Sequence, residues 1–159
     1  MSTDPTCPFC RIVRGDEPAL LIYDDATSIA FLDRDPAAEG HTLVVPRMHS
    51  RNLFDVEPAS ADALFSSAVR VARLLNSALH PDGLTMIQTN EPAGWQSVFH
   101  FHLHLVPRWK GDNLVQPWHA GRTPSDALVA TRSRILHADG DGASLAERGS
   151  QRPRSNETL

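Results

Sequence analysis

The sequence predicts an α+β domain, an antiparallel sheet of about five strands with one long helix packed on it. Three observations lead there. The 159 residues fit one domain of ordinary size. Short β-rich apolar runs alternate with turn residues, and a single stretch shows sustained helical periodicity.

Residues 20–23 (LLIY) and 28–32 (SIAFL) flank Asp24, Asp25 and Thr27, so they read as two strands of a hairpin. The run 41–46 (HTLVVP) follows Pro36 and Gly40 and stops at Pro46, as an edge or terminating strand would. From Ser60 to Leu79, the residues Leu64, Ala68, Val71, Leu75 and Leu79 recur at steps of 4, 3, 4 and 4, the apolar stripe of an amphipathic helix. Ser60 suits the cap of that helix, Asp62 its positive end, and His80-Pro81 with Gly83 its stop. Two more β-rich runs, 84–89 (LTMIQT) and 101–107 (FHLHLVP), bracket the loop NEPAGWQ. Thr123-Pro124-Ser125-Asp126 reads as the start of a short helix ending near Leu136. The domain is therefore expected over 1–137, with a weaker signal over 111–137. Residues 138–159 carry too little apolar surface to offset ordering entropy and are expected as a disordered tail.

Net charge is −4 and no Lys or Arg stripe forms, which argues against a nucleic-acid or anionic-membrane partner. No window is apolar enough to span a bilayer, and MSTDPTCPFC lacks the pattern of a signal peptide, so a cytoplasmic location is expected. The only cysteines are Cys7 and Cys10, and a C-x-x-C pair in a reducing compartment reads as a metal or redox pair.

Residues 96–108, QSVFHFHLHLVPR, hold His100, His102 and His104 at alternate positions. With 8 histidines in 159 residues, chance supplies about 0.02 such triplets. On a strand the three share one face, while Phe101, Leu103 and Leu105 point to the other. A neutral imidazole is nucleophilic near pH 7 and leaves readily from phosphorus, which suits phosphoryl or nucleotidyl transfer. Metal ligation, a solvated face and satisfied core histidines are the competing readings. Asn90, Gln96 and Ser97 in or beside the preceding loop supply neutral donors where an anion could be held, and so favour the phosphate reading.

The heptad HFHLHLV (100–106) matches His-φ-His-φ-His-φ-φ, φ being apolar, and resembles the signature of the histidine triad (HIT) nucleotide hydrolases and transferases. CPFCRIVRGDEPA, SIAFLDRDPAAEGHTLVVPRMH and N-x5-QSVFHFHLHLVPR extend the resemblance to about residue 110. It implies the HIT fold and hydrolysis at the α-phosphate of a purine nucleoside phosphoramidate or related nucleotide. Cleavage of dinucleoside polyphosphates is the alternative within the family, and a non-catalytic nucleotide- or zinc-binding protein is the rival class. By resemblance His102 is the nucleophile that carries the nucleotidyl intermediate, while His104 and His49 face the phosphate. Ser97, Gln96 and Asn90 match contacts to phosphate and leaving group. Asp33 matches the carboxylate on the ribose, and Phe9, Ile12 and Phe31 match the base pocket of a purine nucleotide such as AMP.

Some bacterial members hold a structural zinc through residues matching Cys7, Cys10, His49 and His100, and this role is assigned mainly to His49 over phosphate contact. A homodimer is implied as well. On residues alone, Asp33 equally suits a turn cap, Asn90 a turn former, His49 a surface side chain, and Phe9, Ile12 and Phe31 the core. His41, His80, His119 and His137 match no family site and read as ordinary side chains. One departure stands out: the loop NEPAGWQ is a residue shorter than usual and places Trp95, where Gly is customary, directly before Gln96. VPRWKGDN after the triad looks more like the dinucleotide polyphosphate branch.

Overall fold

The computed structural model describes residues 4–114, 121 and 123–138, and the chain divides into two units, Met1–Leu114 and Val115–Leu159. The expected tail 138–159 lies outside the described residues apart from Ala138, as does His119. Among the described residues no helix is long and apolar enough to cross a membrane.

The first unit runs α1 (Pro8–Arg14), β1 (Leu21–Asp24), β2 (Ser28–Leu32), β3 (Thr42–Pro46), α2 (Pro58–Leu79), β4 (Gly83–Ile87) and β5 (Leu103–Arg108), with a single 3-10 turn at Pro92–Gly94. The five strands form one antiparallel sheet in the order β1-β2-β3-β5-β4, the expected α+β architecture. Period-two alternation divides β2, β3 and the β5 segment between two apolar layers, while β1 and β4 at the sheet edges are largely exposed. Ala30, Val44, Phe101, Leu103 and Leu105 pack with Leu64, Ala68, Val71 and Leu75 of α2. Ile29, Phe31, Leu43 and Val45 point the other way and pack with Cys7, Phe9 and Cys10 of the α1 segment. Burying Leu64 and Val71 completely contributes about 1.5–3 kcal/mol each. Gly40 (φ +73) lies against the end of α2, where an added Cβ would meet Leu79 Cδ1 at 2.3 Å.

Several elements differ from the sequence reading. β3 is a central strand, not an edge: it pairs with β2 along its length and with β5 over Thr42–Val44. Pro46 is tolerated because its missing N–H falls beyond the β5 ladder. α2 begins at Pro58, with Glu57 in the N-cap position, so Ser60 is helical and does not cap it. His80 in the left-handed region ends α2, and Gly83 opens β4. β5 starts at Leu103, which leaves His102 in the irregular segment before it and His100 at the end of the bend that precedes that segment. The seven-residue α1 has no counterpart in the sequence reading; Pro8 at its first position and Gly15 in the left-handed C-cap set its ends. In the second unit, the helix α3 (Ser125–Ala138) carries Asp126 in its first turn and buries no described side chain.

Candidate functional site

On the α1 side of the sheet a cavity of about 680 Å³ opens between α1, the segment after β2 and the segment before β5. Phe9, Ile12, Phe31 and Leu43 give it apolar walls, Asp33 and Ser97 polar ones, and His102 and His104 also line it. Phe9 meets Phe31 edge-on at 5.5 Å between ring centroids and His102 at 5.1 Å with the planes nearly perpendicular. The sequence reading therefore selected residues that converge on one cavity, although 95 positions separate the extremes, Phe9 and His104.

Hydrogen bonds fix where each imidazole keeps its proton, and the row can be solved from both ends. The Ala37 N–H donates to His41 Nδ1 (3.0 Å), so neutral His41 carries its proton on Nε2 and donates it to His104 Nδ1 at 3.0 Å. His104 must then be protonated on Nε2, which donates to His102 Nε2 at 3.1 Å. From the other end, His102 Nδ1 faces the His100 carbonyl at 2.5 Å; a carbonyl only accepts, so Nδ1 holds the proton and Nε2 is bare. The two deductions agree. The lone pair of His102 Nε2, on a residue that lines the cavity, accepts the one N–H that His104 Nε2 donates.

Burial keeps these rings neutral. It lowers His102, which is 3% exposed, and pushes His104 down to about 4, where repulsion by His102 and His41 adds to the effect. His41 is lowered by burial as well, against the pull of Asp33, whose Oδ2 lies 3.6 Å from His41 Nε2.

Behind the triad, Cys7, Cys10, His49 and His100 bring one donor atom each within 4.8 Å of the others. Cys7 Sγ lies 3.4 Å and Cys10 Sγ 3.6 Å from His100 Nδ1, and Cys10 Sγ lies 3.3 Å from His49 Nδ1. A tetrahedral zinc has sulfur-to-nitrogen edges of about 3.6 Å, so the donors fit that ion. His100 donates Nε2–H to the Pro46 carbonyl at 3.0 Å, which leaves Nδ1 bare toward the sulfurs, the outer-shell arrangement of a metal histidine. Both cysteines are free thiols, and among the described residues no strand leads into Cys7, the N-cap of α1, as a thioredoxin-type redox pair would have it.

Asp33, His41 and His104 form a second close cluster. Proton accounting argues against a metal there: ligation through His41 Nε2 would require the proton on Nδ1, where the Ala37 N–H already points.

Two of the residues matched to nucleotide or leaving-group contacts, Gln96 and Asn90, do not line the cavity. Gln96 accepts from the Glu91 N–H (2.8 Å) and donates to the Arg51 and Val98 carbonyls (2.7 and 3.0 Å). Asn90 accepts from the Leu53 N–H at 2.8 Å and exchanges bonds with Gln88. Both hold loop backbone in place. His49 stands with the cysteines and away from the cavity lining.

His41 is the residue the sequence reading missed. It lies two residues before Leu43, the cross-strand partner of His104, so period two puts His41 and His104 on one face. That signal exists only once the β3–β5 pairing is known.

The HIT domain signature matches residues 14–111. Adenosine 5′-monophosphoramidase of Saccharomyces cerevisiae is 33% identical over 134 residues, 84% of this chain and 82% of that protein. A crystal structure of a HIT family member from Bacillus subtilis superposes with a TM-score of 0.75 at 33% identity, covering 83% of this chain and 96% of that one. A zinc-bound histidine triad family protein from Mycobacterium smegmatis superposes at 0.67 with 38% identity, covering 84% and 98%. With the signature matched over residues 14–111 and a relative 33% identical over 84% of its length, this chain belongs to the HIT family.

Proposed function

We propose that this protein hydrolyses a purine nucleoside phosphoramidate, or a related nucleotide, at its α-phosphorus through His102. The observation that carries the proposal is the bare Nε2 of His102 in a cavity whose other walls suit a nucleoside monophosphate. The phosphoramidase named among the relatives supports the substrate class.

In the first displacement His102 Nε2 bonds to phosphorus and the P–N bond to the amine breaks; the amine departs with that electron pair and takes a proton from solvent. The histidine becomes cationic, and its Nδ1–H bond to the His100 carbonyl stabilises the charge. His104 Nε2–H turns from His102 to a phosphate oxygen, backed by His41. Water then attacks phosphorus, loses a proton to solvent, and the Nε2–P bond breaks to restore bare Nε2. Ser97 contacts the phosphate, Asp33 accepts the ribose hydroxyls, and Phe9, Ile12 and Phe31 enclose the base. Gln96 and Asn90 act through the loop they hold.

Cys7, Cys10, His49 and His100 are the proposed zinc ligands, which assigns His49 to metal and not to phosphate. A zinc bound there supplies a structural tether between α1 and the triad segment. Phe65 and Val69 on α2 and Leu84 and Met86 on the edge strand β4 are exposed apolar side chains and support a homodimer. Cytoplasmic function is the accompanying reading.

A panel of adenosine phosphoramidates, diadenosine polyphosphates and nucleotide sugars tests the proposal. Highest kcat/KM for a phosphoramidate is expected; highest kcat/KM for a diadenosine polyphosphate moves the chain to the dinucleotide branch. AMP binding with no turnover of any substrate makes the pocket a sensor.

A further inference from the structure

We infer that α1 couples metal occupancy to nucleotide binding: zinc on Cys7, Cys10, His49 and His100 raises the affinity of the cavity for a nucleotide, and the nucleotide raises the affinity for zinc. This rests on the ligand set and on the nucleoside reading of the cavity, both proposed above.

α1 depends on its surroundings for order. It has seven residues, whereas an isolated helix needs about 12 or more to be even marginally stable in water, and Cys7 at its N-cap makes no side-chain cap bond. Its order comes from packing Phe9 and Cys10, with Ile12 and Val13, on Ile29, Phe31, Leu43 and Val45. Two of the four metal ligands sit on this segment, Cys7 at the N-cap and Cys10 in the first turn. The other two, His49 and His100, come from the segments after β3 and before β5, so a metal held by all four joins α1 to the sheet.

Phe9 stands between the two cysteines in the chain and belongs to both sites. Its ring lies 6.0 Å from that of His100 and meets His102 at 5.1 Å, nearly perpendicular. Phe9 and Ile12 are also the part of α1 that walls the cavity. Metal and nucleotide therefore favour the same docked state of α1. Whichever binds first bears the entropy of ordering the segment, and the second binds more tightly. His100 adds a second link, because its Nδ1 faces the sulfurs while its carbonyl accepts the Nδ1–H of His102. Zinc supply then sets the share of chains ready for nucleotide, a regulatory role beyond that of a tether.

The test titrates the zinc-loaded protein with a chromophoric chelator, without AMP and with AMP at saturation. The zinc Kd is expected to fall about ten-fold with AMP, and calorimetry on loaded and chelator-stripped protein should show the AMP Kd changed by the same factor. Phe9→Ala keeps all four ligands and is expected to bind one zinc equivalent, while saturating AMP shifts its zinc Kd by less than about three-fold. Zinc affinity indifferent to AMP, in protein that binds both, overturns the inference and leaves the ligand set and the cavity reading standing. Full coupling in Phe9→Ala overturns the role of α1. Stripped protein without a cooperative urea transition overturns the local coupling, because global unfolding then links the two ligands. A wild type that binds no zinc overturns the ligand set, and one that binds no AMP the nucleotide reading, each together with the inference.

Discussion

Replacing His41 with alanine isolates the proton order of the triad from the binding of the nucleotide. His41 does not line the cavity, yet its Nε2–H at 3.0 Å is the donor that holds His104 in the tautomer protonated on Nε2. Without it, His104 is free to carry its proton on Nδ1, which presents a bare nitrogen to the bare His102 Nε2 and to the phosphate. One hydrogen bond contributes about 1 kcal/mol, so the productive tautomer falls by about five-fold, and with its loss from the transition state kcat falls by about ten-fold. The Ala37 N–H also loses its acceptor, at a cost of about 1–3 kcal/mol in folding stability. Steady-state kinetics with an adenosine phosphoramidate, beside AMP titration by calorimetry, separate the effects: kcat is expected to fall while the AMP Kd changes by less than about three-fold. A weakened Kd with unchanged kcat would refute the reasoning, and would show that His41 acts by orienting Asp33 for the ribose.

Three further outcomes follow from the same contacts. His104 is held down to about 4 by burial, below the ordinary histidine value of about 6.5, so the unfolded chain binds the extra proton more readily in that window. Its contribution to stability is complete above about pH 6.5 and is lost as pH falls through about 4; urea midpoints at pH 7, 5 and 4 should decline, and a flat profile would contradict the burial argument. Cys10→Ser removes the sulfur that lies within 3.6 Å of both His49 Nδ1 and His100 Nδ1, so metal analysis should show loss of one zinc equivalent and calorimetry a lower Tm; unchanged zinc content rejects the ligand set. Gly40→Ala combines a left-handed φ with a Cβ 2.3 Å from Leu79 Cδ1 and should cost at least about 1 kcal/mol by urea unfolding, whereas a neutral result would mean that the end of α2 gives way freely.

The strands and the long helix were legible because their signals are local: turn residues around Asp25 and an apolar step of three to four along α2. Reading β3 as an edge strand failed because Pro46 announces the end of a strand without saying which neighbours it has, and pairing with β5 joins residues about sixty positions apart. The start of α2 was written in Pro58, a favoured first helical residue, but Ser60 offered a competing cap. Seven residues are too few for α1 to show periodicity, so the wall carrying Phe9 and Ile12 came from resemblance alone. For the site, residue types on one strand face identified His100, His102 and His104. Which nitrogen of each is bare depends on carbonyls and N–H groups brought in by folding, those of His100, Pro46 and Ala37.

The central claim is that His102 Nε2 forms a bond to phosphorus. Rapid quenching of the wild type during turnover of an adenosine phosphoramidate, followed by intact-mass measurement and peptide mapping, reads that bond directly. An adenylyl adduct on His102 that forms and decays at rates compatible with kcat, and is missing from His102→Ala, is the predicted result. Turnover that persists in His102→Ala, or an adduct on a different residue, would contradict it.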